Sequence, residues 1–219
     1  MIGATAPSAV VSVEGGAALQ RGVVPPFWET ARDRLSVHGS VAWAPSEAAR
    51  LSLHVDGWRR DQYASGVAQQ GAGDITMGVE VSPLPWLGAV WLVKQPNASD
   101  GQQLGSDEVD VALLARAQAD WGAAALGAVI RGDPLRYSAQ DVGLGGWVAG
   151  WQALGPVRLS GRVAGSAQSA HNPARLEASV GGRVGCRLRG GAELTAGLTA
   201  AASDWGGRLW VGAAWGCAG

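Results

Sequence analysis

The chain has 219 residues, room for one domain or two small ones, and its net charge of −1 lacks the electrostatic footprint of a nucleic-acid binder. Mean hydropathy is only +0.07. The longest uncharged run, Val142 to Val157, is shorter than the ~20 apolar residues a spanning helix needs, so no transmembrane helix is expected. Two cysteines, Cys186 and Cys217, are too few for a disulfide scaffold or a zinc site. What remains is an unusual mixture, with 34 Gly and 11 Trp against a single Phe.

Val11 to Gln20 reads as a first strand, with Val11, Val13 and Leu19 opposing Ser12 and Glu14. The pattern becomes strict between Arg34 and Arg60. Leu35, Val37, Gly39, Val41 and Trp43 oppose Arg34, Ser36, His38, Ser40 and Ala42, and after Pro45 to Ala48 the residues Leu51, Leu53 and Val55 oppose Ser52, His54 and Asp56. Period-2 alternation marks strands with one apolar and one polar face, and two such runs around a short turn predict an antiparallel hairpin. Residues 61–72 read as a loop. Asp74 to Ser82 and Trp86 to Gln95 form a second hairpin around Pro83 to Pro85, and Asp107 to Ala119 with Gly122 to Gly132 a third around Asp120-Trp121. Asp141 to Ala153 and Pro156 to Ala167 turn at Leu154-Gly155. Ala174 to Leu188 and Gly191 to Ser203 turn at Arg189-Gly190, and Gly207 to Cys217 closes the chain.

These boundaries predict twelve strands. Short turns alternate with mostly longer loops, so the short ones gather at one end. A soluble sandwich has no reason for that asymmetry, whereas an outer-membrane barrel has short periplasmic turns and longer outer loops. The expected fold is therefore all-β: one antiparallel up-and-down transmembrane barrel over residues 1–219, with 1–8 as an N-terminal tail. Two aromatic belts are expected at the membrane interfaces. Trp43, Trp86, Trp121, Trp151 and Trp215 sit by the short turns, and Trp28, Trp58, Trp147, Trp205 and Trp210 nearer the long loops.

Catalysis finds little support. His38 and Ser40 have the two-residue spacing of outer-membrane phospholipases, but they fall on the polar face rather than the lipid face, and no nucleophile-elbow motif occurs. Gly143 to Gly146 and Gly181-Gly182 do not sit between strand and helix, which excludes a phosphate-cradling loop. No enzyme activity, metal or cofactor is expected. The informative set is the polar-face charges. Glu14, His38, His54, Asp56, Asp74, Glu80, Glu108 and Asp110 come early; Arg116, Arg131, Arg158, Arg162, Arg183 and Arg187 come later, with Glu177, Glu193 and Arg208 among them. This order predicts an acidic wall facing a basic wall across the lumen. Such walls either impose a transverse field on a narrow polar pore or pair across the interior and plug it. Cys186 and Cys217 fall on the outer face with one strand between them. At ~9–10 Å between Cα atoms they would be too far apart for a disulfide, so both are expected as free thiols.

Three blocks carry a family resemblance: Gly73-Asp74-Ile75-Thr76-Met77-Gly78-Val79-Glu80, Trp91-Leu92-Val93-Lys94-Gln95-Pro96, and Leu104-Gly105-Ser106-Asp107-Glu108-Val109-Asp110-Val111. They resemble segments of the small bacterial outer-membrane barrels assigned as transporters of the phenol meta-pathway type. Asn97-Ala98 stands where that group has Thr-Gly, Gln95 replaces an apolar residue, and the final residues Trp215 to Gly219 give only a degenerate form of the terminal aromatic signal. The resemblance covers about a fifth of the chain, and it implies an outer-membrane barrel with a role in small-molecule passage.

Together these readings predict a bacterial outer-membrane barrel in contact with lipid, passing small polar molecules through a charged lumen. No signal peptide is visible at Met1-Ile2-Gly3, so either an export signal has been removed or the protein is cytosolic. Two alternatives stand beside it. One is a structural barrel with a plugged lumen that binds other envelope proteins through loops 21–32, 61–72 and 96–106. The other is a soluble all-β binding module, which detergent dependence would distinguish.

Overall fold

The computed structural model describes residues 10–23, 32–97, 109–132, 140–167, 175–184, 187–199, 202 and 204–215. Thirteen strands form one antiparallel sheet: β1 (Val10–Val23), β2 (Arg32–Ser46), β3 (Ala49–Tyr63), β4 (Ala68–Gly71), β5 (Ile75–Leu84), β6 (Leu87–Gln95), β7 (Asp110–Ala119), β8 (Gly122–Gly132), β9 (Gln140–Leu154), β10 (Val157–Ala167), β11 (Arg175–Val184), β12 (Leu188–Gly197) and β13 (Trp205–Trp215). Each pairs with its sequence neighbour except around β4. The sheet closes because β1 bonds to both β2 and β13, while β3 bonds to both β2 and β5. Twelve strands make the barrel, as the alternation predicts, and the short β4 folds back on the outer half of β3.

Connections alternate as expected: two- or three-residue turns at one end, and links of seven residues or more at the other. The turn between β9 and β10 uses Gly155 at φ 59°, a left-handed conformation that glycine adopts without strain. The faces also follow the alternation. On β7, Leu113 is 59% exposed on the outer wall and Leu114 beside it is 5% exposed, facing the lumen. Closure pairs each of the twelve barrel strands on both sides, leaving the short β4 paired only with β3, and the apolar outer wall suits lipid, where each backbone group must be satisfied within the protein.

Three boundaries differ from expectation. Residues 61–72 are not simply a loop: β3 runs on to Tyr63, and β4 pairs with it from Gln62↔Ala68 to Arg59↔Gly71. Within β3 the register against β2 shifts between Val37↔Trp58 and His38↔Asp56, so Gly57 is an extra residue. This bulge reverses the parity beyond it, turning Arg59 and Asp61 inward and Trp58 outward. Lastly, β11 ends at Val184 and β12 begins at Leu188, so Arg189-Gly190 is not the β11–β12 turn. Gly190 and Gly191 are strand residues. A Cβ on Gly191 would stand 2.5 Å from the Trp210 ring, so this glycine makes room for an indole. Cys186 and Cys217 lie outside the described residues.

Candidate lumen site

Among the described residues, the inward ion pairs run along the wall rather than across it. Lys94 Nζ on β6 lies 2.5 Å from Asp110 on β7 and 3.7 Å from Asp74, whose other oxygen accepts from the Asn97 amide. Arg116 on β7 is paired with Glu80 on β5. Arg189 on β12 reaches Glu14 on β1 at 2.6 Å. The strand between them offers Gly212, where a Cβ would stand 2.7 Å from the Glu14 side chain. Arg208 on β13 lies 3.8 Å from Glu193 on β12. The expected acidic and basic walls therefore do not face each other as two separate surfaces. Short cross-strand distances favour neighbours over partners across the lumen.

His38 and His54 place their rings 5.4 Å apart, and His54 Nε2 lies 3.3 Å from Asp56. Among the described residues no group of three acidic, His or Cys side chains converges as a metal site. Glu177 lines the lumen on β11. Arg187 does not: it is exposed in the turn before β12, and Arg189 is the lumen cation of that hairpin. The error follows from the displaced turn. Glu108 lies outside the described residues, as do the side chains of Arg131 and Arg183; register alone pairs Arg183 with Arg158.

The tryptophans divide differently from the belts drawn above. Trp43, Trp86, Trp121 and Trp215 are exposed on the outer side at the short-turn end, and Trp58 and Trp205 face outward toward the long loops. Trp91, 51% exposed, lies on the outer face between the two groups. Trp147, Trp151 and Trp210 are corrections, because pairing places them inside. Trp147 is opposite inward-facing Ala125, and Trp210 is opposite Gly16, two residues along β1 from Glu14. Arg162 lies over the Trp147 ring at 5.3 Å, and Arg158 over the Trp151 ring at 5.2 Å. Trp28 is outside the described residues.

Sequence reasoning missed one cluster. Asp61, wholly buried near the long-loop end, receives three guanidinium groups. Arg34 binds both its oxygens at 2.9 and 3.2 Å, Arg32 Nε lies 3.0 Å away, and Arg59 Nε 3.4 Å. Arg32 also donates to the Tyr63 hydroxyl at 2.8 Å, which in turn donates to Gln69 at 3.0 Å. The network ties β2, β3 and β4 together. Its only sequence signal was the inward position of Arg34: the Gly57 bulge hides the parity of Arg59 and Asp61, and Arg32 lies before the expected start of its strand.

Among the described residues, two cavities border inward-facing side chains. The larger, about 440 Å³, is bounded by Leu92, Leu114 and Val129 on one side and by Trp147, Arg162 and Glu177 on the other. The second, about 300 Å³, is nearer the short turns and is bounded by Trp151, Arg158, Arg162, Glu193, Arg208 and Trp210. Arg162 borders both. Leu92, Leu114 and Val129 make one side of the larger chamber apolar, which the polar-face expectation did not foresee.

The sequence matches no family model and no curated protein. The fold does have likenesses among solved structures. An outer-membrane channel from Pseudomonas putida F1 aligns over 97% of this chain and 97% of its own, with a TM-score of 0.64 at 13% identity. The translocator domain of the autotransporter NalP from Neisseria meningitidis aligns over 97% of this chain and 90% of its own, with a TM-score of 0.55 at 11% identity. The closed twelve-strand barrel is thus similar in fold to these two structures.

Proposed function

We propose that this chain is a bacterial outer-membrane channel that passes small polar molecules through its lumen, and that it has no enzymatic role. The observation that carries this reading is the pair of internal chambers meeting at Arg162. Charges tied to neighbours on the same wall leave the space between the walls free, where cross-lumen pairs would close it. A twelve-strand barrel lies between eight-strand barrels filled by side chains and sixteen-strand porins with aqueous channels. The apolar outer wall and the outward tryptophans at both ends support lipid on that face. The resemblance to barrels of the phenol meta-pathway type supports small-molecule passage as the class of activity.

The test is planar-bilayer recording on refolded full-length chain. Discrete, ohmic current steps in potassium chloride are expected. A barrel that inserts, as judged by protease protection, but conducts nothing would favour the plugged scaffold whose loops bind envelope partners.

A further inference from the structure

Resting on the channel reading, we propose that the β9–β10 wall of the lumen is a binding track for small carboxylate anions, with Arg162 and Arg158 as its two successive stations. The basis is a repeated local geometry. Trp147 is cross-strand from Ala164 and carries Arg162, two residues along β10; Trp151 is cross-strand from Ser160 and carries Arg158, again two residues along. Each station is the same diagonal Trp–Arg pair, displaced by four residues on both strands. Diagonal neighbours on one sheet face are within reach of aromatic and long side chains.

This arrangement differs in kind from the β5–β7 stretch of the same wall. There Lys94 and Arg116 are neutralised by carboxylates. Arg158 and Arg162 have indole faces, and among the described residues neither makes an ion pair within 4 Å. An indole stabilises a guanidinium through its ring face but occupies none of its N–H donors. The planar fork is held in orientation while its donors stay available for a carboxylate, the group whose geometry it matches. Small residues between the stations, Ala149 and Ser160, leave the 300 Å³ chamber open beside them. Glu193 and Arg208, paired with each other, line the same chamber.

Spacing decides how the stations act. Four strand residues span ~13 Å, too far for one carboxylate to bridge both arginines. They are therefore successive sites and not a clamp. Passage needs binding that is favourable at entry yet weak and multiple enough to allow exit. Arg162, bordering both chambers, is the point of transfer between them.

The test is iodide quenching of tryptophan fluorescence in refolded full-length protein, with sodium acetate as the competing probe against sodium chloride at matched ionic strength. In the native chain acetate should protect fluorescence from iodide more than chloride does. R158Q/R162Q should lose that protection, and R158K/R162K, which keeps the charge and guards against a folding artefact, should retain part of it. A charge-neutral double change on the β5–β7 wall, E80Q/R116Q, should leave it intact. Equal protection by acetate and chloride in the native chain, or protection that survives R158Q/R162Q, overturns the proposal. The readout needs no current, so a non-conducting barrel that shows acetate protection would refute the channel while leaving the binding track standing.

Discussion

Replacing Asp61 with asparagine is expected to destabilise the barrel by about 3–5 kcal/mol, the cost of leaving buried charges without their counter-ion. Asp61 is the carboxylate at which Arg32, Arg34 and Arg59 meet, and its side chain has no exposure at all. Asparagine keeps the shape and one acceptor but removes the charge. Three guanidinium groups would then repel one another in a place water does not reach. Because the network also holds Tyr63 and Gln69, the β3–β4 hairpin should loosen before the rest of the barrel unfolds. Urea unfolding of lipid-reconstituted protein, followed by limited proteolysis between residues 63 and 71, measures both effects. A change below about 1 kcal/mol, the range of exposed ion pairs, would mean that the cluster is solvated.

Leu113→Arg and Ala112→Arg form the second large contrast. Leu113 is on the outer wall of β7, and Ala112 beside it lines the larger chamber. A cation on the lipid face near the membrane centre costs about 2–4 kcal/mol, while one facing an aqueous lumen costs far less. Unfolding in phospholipid vesicles should therefore separate two variants that are adjacent in sequence and identical in the residue introduced. Equal losses would show that the face assignment of β7 is wrong.

Much of this architecture is legible in period-2 patterning, because alternation reports directly which side of a sheet a residue takes. The hairpins around residues 45–48, 83–85 and 120–121, and the gathering of short turns at one end, follow from it. What escapes are the places where the alternation is interrupted or outvoted. Gly57 inserts one residue and reverses parity, which conceals Arg59 and Asp61; a lone glycine within a strand pattern is the one mark such a bulge leaves. Gly190-Gly191 reads as a turn because glycine commonly makes turns, yet Gly191 exists to admit the Trp210 ring, and the misplaced turn substitutes Arg187 for Arg189.

The inward tryptophans are a different kind of miss. Leu144 and Val148 on β9 already define the outer parity, so Trp147 and Trp151 belong to the lumen by the same rule that assigned everything else. Leu209 and Val211 do the same for Trp210. The expectation of aromatic belts overrode a parity that was plain in the chain. Pairings between charges were less accessible, since they depend on which strands are neighbours and on intervening residues such as Gly212.

The central claim, lipid outside and solvent within, is tested most directly by a cysteine-accessibility scan along β7. With Cys186 and Cys217 replaced by serine, single cysteines are placed in turn from position 111 to position 117, and the barrel is reconstituted in vesicles. A charged, membrane-impermeant maleimide should label positions 112, 114 and 116, while a spin-labelled lipid should quench a probe at positions 111, 113, 115 and 117. Labelling that ignores parity, or lipid contact at the inward positions, would contradict it.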